Sequence, residues 1–323
     1  MKLTDLDAQP YRSGGFGEIY TGTYPDGQPV IIKKLSRTNK STAQLAQIQL
    51  EMLIMKRCKH ENIIRLIDYI CEDENLYLIM ERATGGTLME SIVSRQHYSE
   101  YDARYFIQQI LSAFNYLHRH EIAHLDFKPD NVVLKDMINQ PGYKPILKLI
   151  DFGSCKFGQT QFVRQMTQGY ASPEQLLKKE ATVQSDMFSL GVVTYIILSG
   201  AHPFDFKNPS HMNEQIIKGQ WSWNPAFDQV SDFAKDFITR CLKIEPSERM
   251  TSKNAMRHAW IENVGLNFKE LELSRNQMKQ FMAVLKLKSA FLVVKASIMV
   301  SEMVETQESG FVDSIIKVAG EGK

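Results

Sequence analysis

The sequence predicts an α+β protein of two lobes: a small antiparallel β-sheet with one main helix, then a larger and mainly helical lobe. Three observations predict it. Up to residue 82, short runs of β-branched and aromatic residues alternate with Gly, Pro and Asp turn clusters. From residue 87 onward, apolar residues take helical spacing. The chain's 323 residues, 43% of them hydrophobic, are enough to fill two cores.

Taken in order, GGFGEIYTGTY and PVIIKKL read as strands joined by Pro25, Asp26 and Gly27, a turn tripeptide that makes them a hairpin. STAQLAQIQLEMLIMKRC carries apolar residues at helical spacing and predicts the helix of the first lobe. ENIIRLIDYI and ENLYLIMER read as two further strands, and Ala83, Thr84, Gly85 and Gly86 mark a hinge. YDARYFIQQILSAFNYLHRH, SDMFSLGVVTYIILSG and SDFAKDFITRCLKI predict long helices. The expected division is a first lobe over 1–82, a hinge over 83–86, a second lobe over 87–265 and a tail over 266–323. There is no internal repeat and no low-complexity tract.

Charge narrows the function classes. Lys plus Arg number 38 against 37 Asp plus Glu, so no global field favours nucleic acid or an anionic membrane. Cys58, Cys71, Cys155 and Cys241 form neither a CxxC pair nor a secreted framework, and are expected to be ordinary buried thiols. The N-terminus lacks an apolar signal core, and FLVVKASIMV is too short and too basic to span a membrane. A cytoplasmic protein without a transmembrane segment is the expectation.

Residues 124–131 read HLDFKPDN and residues 150–154 read IDFGS. The patterns H-x-D-x-K-P-x-N and D-F-G, in this order, resemble those of eukaryotic protein kinases, and Lys-Pro in the first resembles the Ser/Thr class. The resemblance extends over about residues 11–262 and implies the bilobal protein kinase fold, with ATP and Mg²⁺ as cofactors and a protein as substrate. It casts Asp126 as catalytic base, Lys128 as a cation beside the transferred phosphate, and Asn131 and Asp151 as oxygen ligands of Mg²⁺. Lys33, ending VIIK in the third strand, would hold the nucleotide phosphates, itself held by Glu51 on the following helix. Gly14, Gly15 and Gly17 would cradle the phosphates, with Ile19, Ile31, Met80, Glu81, Ala83 and Val133 around the rest of the nucleotide. Met80 takes the gatekeeper position. Thr167 in MTQGYASPE would contact the catalytic loop, Asp186 would brace its backbone, and Arg249 would pair with Glu174 of Ser172-Pro173-Glu174.

Departures from the pattern carry information. Arg12 replaces the first glycine of the phosphate loop, as a solvated strand residue or as a phosphate contact. Ile31 stands where the family usually has Ala, predicting a tighter adenine pocket. Leu125 fills a slot that is Arg in many kinases, where the guanidinium binds a phosphate on the activation loop; leucine predicts activity without that phosphate, at Thr160 or elsewhere. His-Leu-Asp with Lys-Pro resembles the death-associated and myosin light chain branches of the calmodulin-dependent kinase family. Thr87 and Ile196 stand where basophilic relatives carry acids, leaving Asp130 and little reason to expect a strong basic requirement.

Between Glu272 and Glu302 the tail has no acidic residue but carries Arg275, Lys279, Lys286, Lys288 and Lys295. With Phe281, Leu285, Phe291, Val294 and Ile298, this reads as a basic amphipathic helix. An autoinhibitory segment binding Ca²⁺/calmodulin over 272–302 is one reading; a permanently packed or dimerising helix and a membrane-surface helix are others, and FLVV permits a strand. For the whole chain the alternative to an enzyme is a pseudokinase, a scaffold or nucleotide-binding module.

Overall fold

Turn chemistry and β-branched residues build the first lobe. The computed structural model describes residues 10, 12–14, 17–95, 98–136, 144–158, 166–262, 271 and 276–286. Strands β1 (Arg12–Gly14), β2 (Gly17–Thr23) and β3 (Pro29–Ser36) are antiparallel, with Ile19 opposite Arg12 on one side and Lys33 on the other. The expected turn joins β2 to β3. Gly27 donates its N–H to Tyr24 O and takes φ 85°, a torsion open to glycine at no steric cost. Helix α1 (Thr42–Arg57) begins at a capping box: the Ser41 hydroxyl accepts the Gln44 N–H, and the Gln44 side chain accepts the Ser41 N–H.

Strands β4 (Leu66–Cys71) and β5 (Asn75–Glu81) complete a five-stranded sheet in the order β1-β2-β3-β5-β4. Val30, Ile32, Tyr77 and Ile79 form the buried core of one cluster, with Tyr20, Tyr24, Ile67 and Ile70 packed against it. The fourth strand starts later than ENIIRLIDYI suggests. Ile64 N–H donates instead to Leu149 O, and Leu149 N–H to Asn62 O, so this stretch pairs with the second lobe.

The hinge is zipped to the second lobe. Thr84 and Gly85 donate to Lys135 O and Leu134 O, and Leu134 donates to Gly86 O. A Cβ on Gly85 would lie 2.3 Å from Asp136 O, so only glycine fits. Helices α2 (Leu88–Ser94) and α3 (Glu100–Arg119) follow, both opened by capping boxes. In α3, Ala103, Phe106, Ile107, Ile110, Leu111, Phe114 and Leu117 form the buried stripe that helical spacing dictates. Helix α5 (Val183–Ser199) is apolar all round and correspondingly buried from Ser185 to Ser199. Short helices α4 (Pro173–Leu176), α6 (Pro209–Lys218), α7 (Asp232–Cys241), α8 (Ser252–Met256) and α9 (Ala259–Glu262) complete the lobe.

Four short strands were not legible in the sequence: β6 (Ile122–Ala123), β7 (Val132–Leu134), β8 (Leu147–Leu149) and β9 (Lys156–Phe157). They pair as β6 with β9 and β7 with β8, and runs of two or three residues are too short to show a period. Both motif segments hang from them: HLDFKPDN lies between β6 and β7, and IDFGS between β8 and β9.

All four cysteines are free, three of them buried; Cys71 is exposed at the end of β4, contrary to expectation, because a strand's last residue leaves the packed face. Burial pushes the Cys58 thiol up to about 11, which keeps it protonated. Among the described residues no helix is long and apolar enough to cross a membrane. The chain divides into two units, Met1–Met278 and Lys279–Lys323. Within the first, Leu271 donates its N–H to Tyr98 O, and Leu271 and Met278 are buried.

Candidate active site

The catalytic loop is shaped before it is functional. Asp186, fully buried in α5, accepts the N–H groups of His124 at 2.8 Å and Leu125 at 2.7 Å, and meets His118 Nε2 at 2.9 Å. Leu125 takes φ 65°. A left-handed leucine costs about 1–2 kcal/mol, which the Asp186 bonds and the Gln175 amide on Leu125 O (2.9 Å) offset. The bend turns Asp126 toward Thr167 and Lys128. Asp126 Oδ1 accepts the Thr167 hydroxyl at 2.7 Å and its N–H at 3.1 Å, while Oδ2 accepts Lys128 Nζ at 2.9 Å. Lys128 Nζ also donates to Thr167 Oγ1 at 2.7 Å. Asp126 is buried, so this carboxylate relies on hydrogen bonds in place of water.

Asn131 follows on the turn Pro129–Asn131, and its side-chain N–H donates to Asp126 O at 2.8 Å. That commits the nitrogen and leaves the carboxamide oxygen as its ligand atom. Ile150 N–H donates to Asn131 O at 2.9 Å, bringing Asp151 next to the loop. Asn131 and Asp151 therefore fit a divalent ion such as Mg²⁺, which takes one or two protein oxygens and completes its shell with phosphates and water. Among the described residues no cluster of three His, Cys, Asp or Glu forms a metal cage.

Lys33 sits inside β3 with 5% of its surface exposed and donates to Glu51 Oε1 at 2.7 Å and to Asp151 Oδ1 at 2.9 Å. Burial works against the ammonium, but the two carboxylates outweigh it and raise the Lys33 pKa. Glu51 is pushed up by burial, opposed by Lys33. Asp151 is also penalised by burial, yet Lys33 prevails and holds it below its ordinary value, which favours the ionised carboxylate. Asp151 takes φ 66°, a second left-handed position.

The remaining predicted residues take these positions in the fold. Met80 and Ile31 are cross-strand partners on β5 and β3, Ile19 lies on β2, and Val133 lies on β7, bridged to Thr87. Glu81 accepts the Arg65 N–H and Lys148 Nζ, both at 2.8 Å, so its carboxylate serves the fold; Ala83 follows in the hinge. Gly14 pairs with Gly17, whose φ of 112° and approach to Lys34 O admit no side chain. Gly15 and Thr160 lie outside the described residues, and Arg12 is described by its backbone alone. Glu174 and Arg249 form the expected pair through two bonds of 2.8 and 3.1 Å.

Sequence reasoning missed three contacts. Gln175 holds Leu125 O, Gln47 of α1 reaches the Asp-Phe-Gly segment, and Lys156 of β9 donates to Glu180 at 2.7 Å. Neutral amides carry no motif signal; the position of Gln47 one helical turn before Glu51 could have pointed to it.

Residues 12–261 match the model of the protein kinase domain. The chain belongs to the protein kinase family. Among curated relatives, this kinase is 35% identical over 275 residues to a probable myosin light chain kinase of Dictyostelium discoideum, covering 83% of the chain and 69% of the relative. It is 34% identical over 255 residues to the serine/threonine-protein kinase H1 of Homo sapiens, 77% of the chain and 59% of the relative. It is 34% identical over 263 residues to the calcium/calmodulin-dependent protein kinase type IV of Mus musculus, 80% and 55%. These relatives place the kinase in the Ser/Thr class, alongside the calmodulin-dependent family.

Proposed function

We propose that the kinase transfers the γ-phosphoryl group of ATP, with Mg²⁺, to Ser or Thr hydroxyls of proteins. The observation that carries this reading is the buried Lys33 held at 2.7 Å by Glu51 and at 2.9 Å by Asp151, a cation fixed beside a metal-ligand candidate. Phosphoryl transfer asks for positioning and positive charge around the phosphates. Lys33 supplies charge to the bound phosphates and Lys128 to the phosphate in transit. Asp126 orients the acceptor hydroxyl and takes its proton, and Thr167 fixes the carboxylate for that task. Magnesium, when bound, neutralises the phosphate oxygens.

Leu125 supports turnover without a docked phosphate. Its side chain packs with Ala123, Ala181 and Val183, and Lys156, paired in register with Ala123, is taken up by Glu180. A strong requirement for basic substrates finds little support. Thr87 caps α2 and Ile196 is buried in α5, so neither offers a carboxylate, and only Asp130 stays exposed.

We further propose regulation by the tail, with Ca²⁺/calmodulin binding through 272–302. The segment over 276–286 is helical and contains Lys279, Phe281, Leu285 and Lys286; residues 287–302 lie outside the described residues. The rival reading, a pseudokinase, draws on Arg12 and Ile31. Labelled phosphate transfer to a generic acceptor protein decides between them. Activity is expected in the wild type and a fall of at least about 100-fold in Asp126→Ala and Asp151→Ala; an inactive wild type, or unchanged variants, would overturn the enzymatic reading.

A further inference from the structure

We infer that Gln47 is a positioning residue for phosphoryl transfer, its side-chain amide clamping the Asp-Phe-Gly segment onto helix α1. The inference rests on the proposed function and adds the group that couples helix position to Asp151. Gln47 precedes Glu51 by four residues, so the two side chains share one face of α1. Its Nε2 donates to Gly153 O at 2.9 Å and to Cys155 O at 3.0 Å. Both partners are carbonyls, so only the NH₂ end of the amide can face them, which fixes the orientation of the side chain chemically.

The clamp acts where the backbone needs it. Asp151 holds φ 66°, and a non-glycine residue keeps a left-handed torsion only where its surroundings over-determine it. Lys33 grips the Asp151 side chain, and Gln47 grips the chain that follows it, at both ends of Ser154. Helix α1 therefore has two handles on the site: Glu51 on the phosphate-binding lysine and Gln47 on the metal-ligand segment. Displacing the helix releases both together. Neither carbonyl bond depends on charge, so the coupling works with a neutral side chain and with leucine at position 125.

The test uses the full chain and three variants. Gln47→Leu keeps the bulk and removes both donors, Gln47→Glu points an acceptor at two carbonyls, and Gln47→Lys keeps a donor. Turnover and the KM for ATP are measured on a generic acceptor protein, with amide hydrogen exchange over 152–155 as a readout independent of activity. In Gln47→Leu and Gln47→Glu, kcat is expected to fall about tenfold with KM for ATP within about threefold, and exchange to accelerate. Gln47→Lys is expected to recover about half of the wild-type kcat and the slow exchange. Unchanged kcat and exchange in Gln47→Leu, or a Gln47→Lys no better than Gln47→Leu, overturns the clamp. An active wild type with a fully active Gln47→Leu sinks the clamp alone, whereas an inactive wild type sinks the kinase reading with it.

Discussion

Glu174 shows how single residues hold the second lobe together. Its carboxylate is 5% exposed and takes two bonds from Arg249 and one from the Ser185 hydroxyl. Burial alone raises its pKa, but those bonds prevail and hold it below the ordinary value of 4.5. A folded-state pKa below the unfolded one means that the pair's contribution to stability is present above about pH 4.5 and disappears as pH falls through the folded value. In Glu174→Gln, stability at neutral pH is expected to drop by about 3–5 kcal/mol, because Arg249 stays buried without its partner. Thermal denaturation as a function of pH should then show a shallower acid limb than in the wild type; parallel curves would refute the assignment. The pairing of Glu174 with Arg249 was implied by the resemblance to protein kinases. The Gln175 amide on Leu125 O was not, since a glutamine beside a motif looks like any polar surface residue.

Among the elements, the short strands decide more than their length suggests. β6 pairs with β9, setting Ala123 beside Lys156, and so brings the start of the catalytic loop to the start of the activation segment. There Leu125 lies in an apolar cluster with Ala123, Ala181 and Val183, and Lys156 donates to Glu180. Replacing Thr160 and every other loop hydroxyl except Thr167 is accordingly expected to leave kcat within about threefold of wild type. A collapse of turnover would sink this reading and point to a phosphate docked elsewhere. The long elements, α1, α3, α5 and the β2/β3 hairpin, were legible because periodicity and turn chemistry act within a few residues. Strands of two and three residues owe their existence to partners distant in sequence.

At the scale of the whole molecule, the chain divides within the tail, at Met278. Met278 is buried within the first unit, so the chain beyond the second lobe's last short helix still belongs partly to the folded body. A peptide spanning 272–302 is expected to bind calmodulin in Ca²⁺ and to release it on chelation, as read by calorimetry; binding indifferent to Ca²⁺, or none, would remove calmodulin from the proposal. The sequence by itself determined the family, the two-lobed order of elements and the identity of the acids, amide and lysines, since each is a matter of residue type and spacing along the chain. Only the tertiary structure decided the neutral contacts around them: Gln175 on Leu125 O and Gln47 on the carbonyls of Gly153 and Cys155. Contacts of that kind close over tens of residues, and their partners are neutral or backbone groups that leave no pattern in a linear reading.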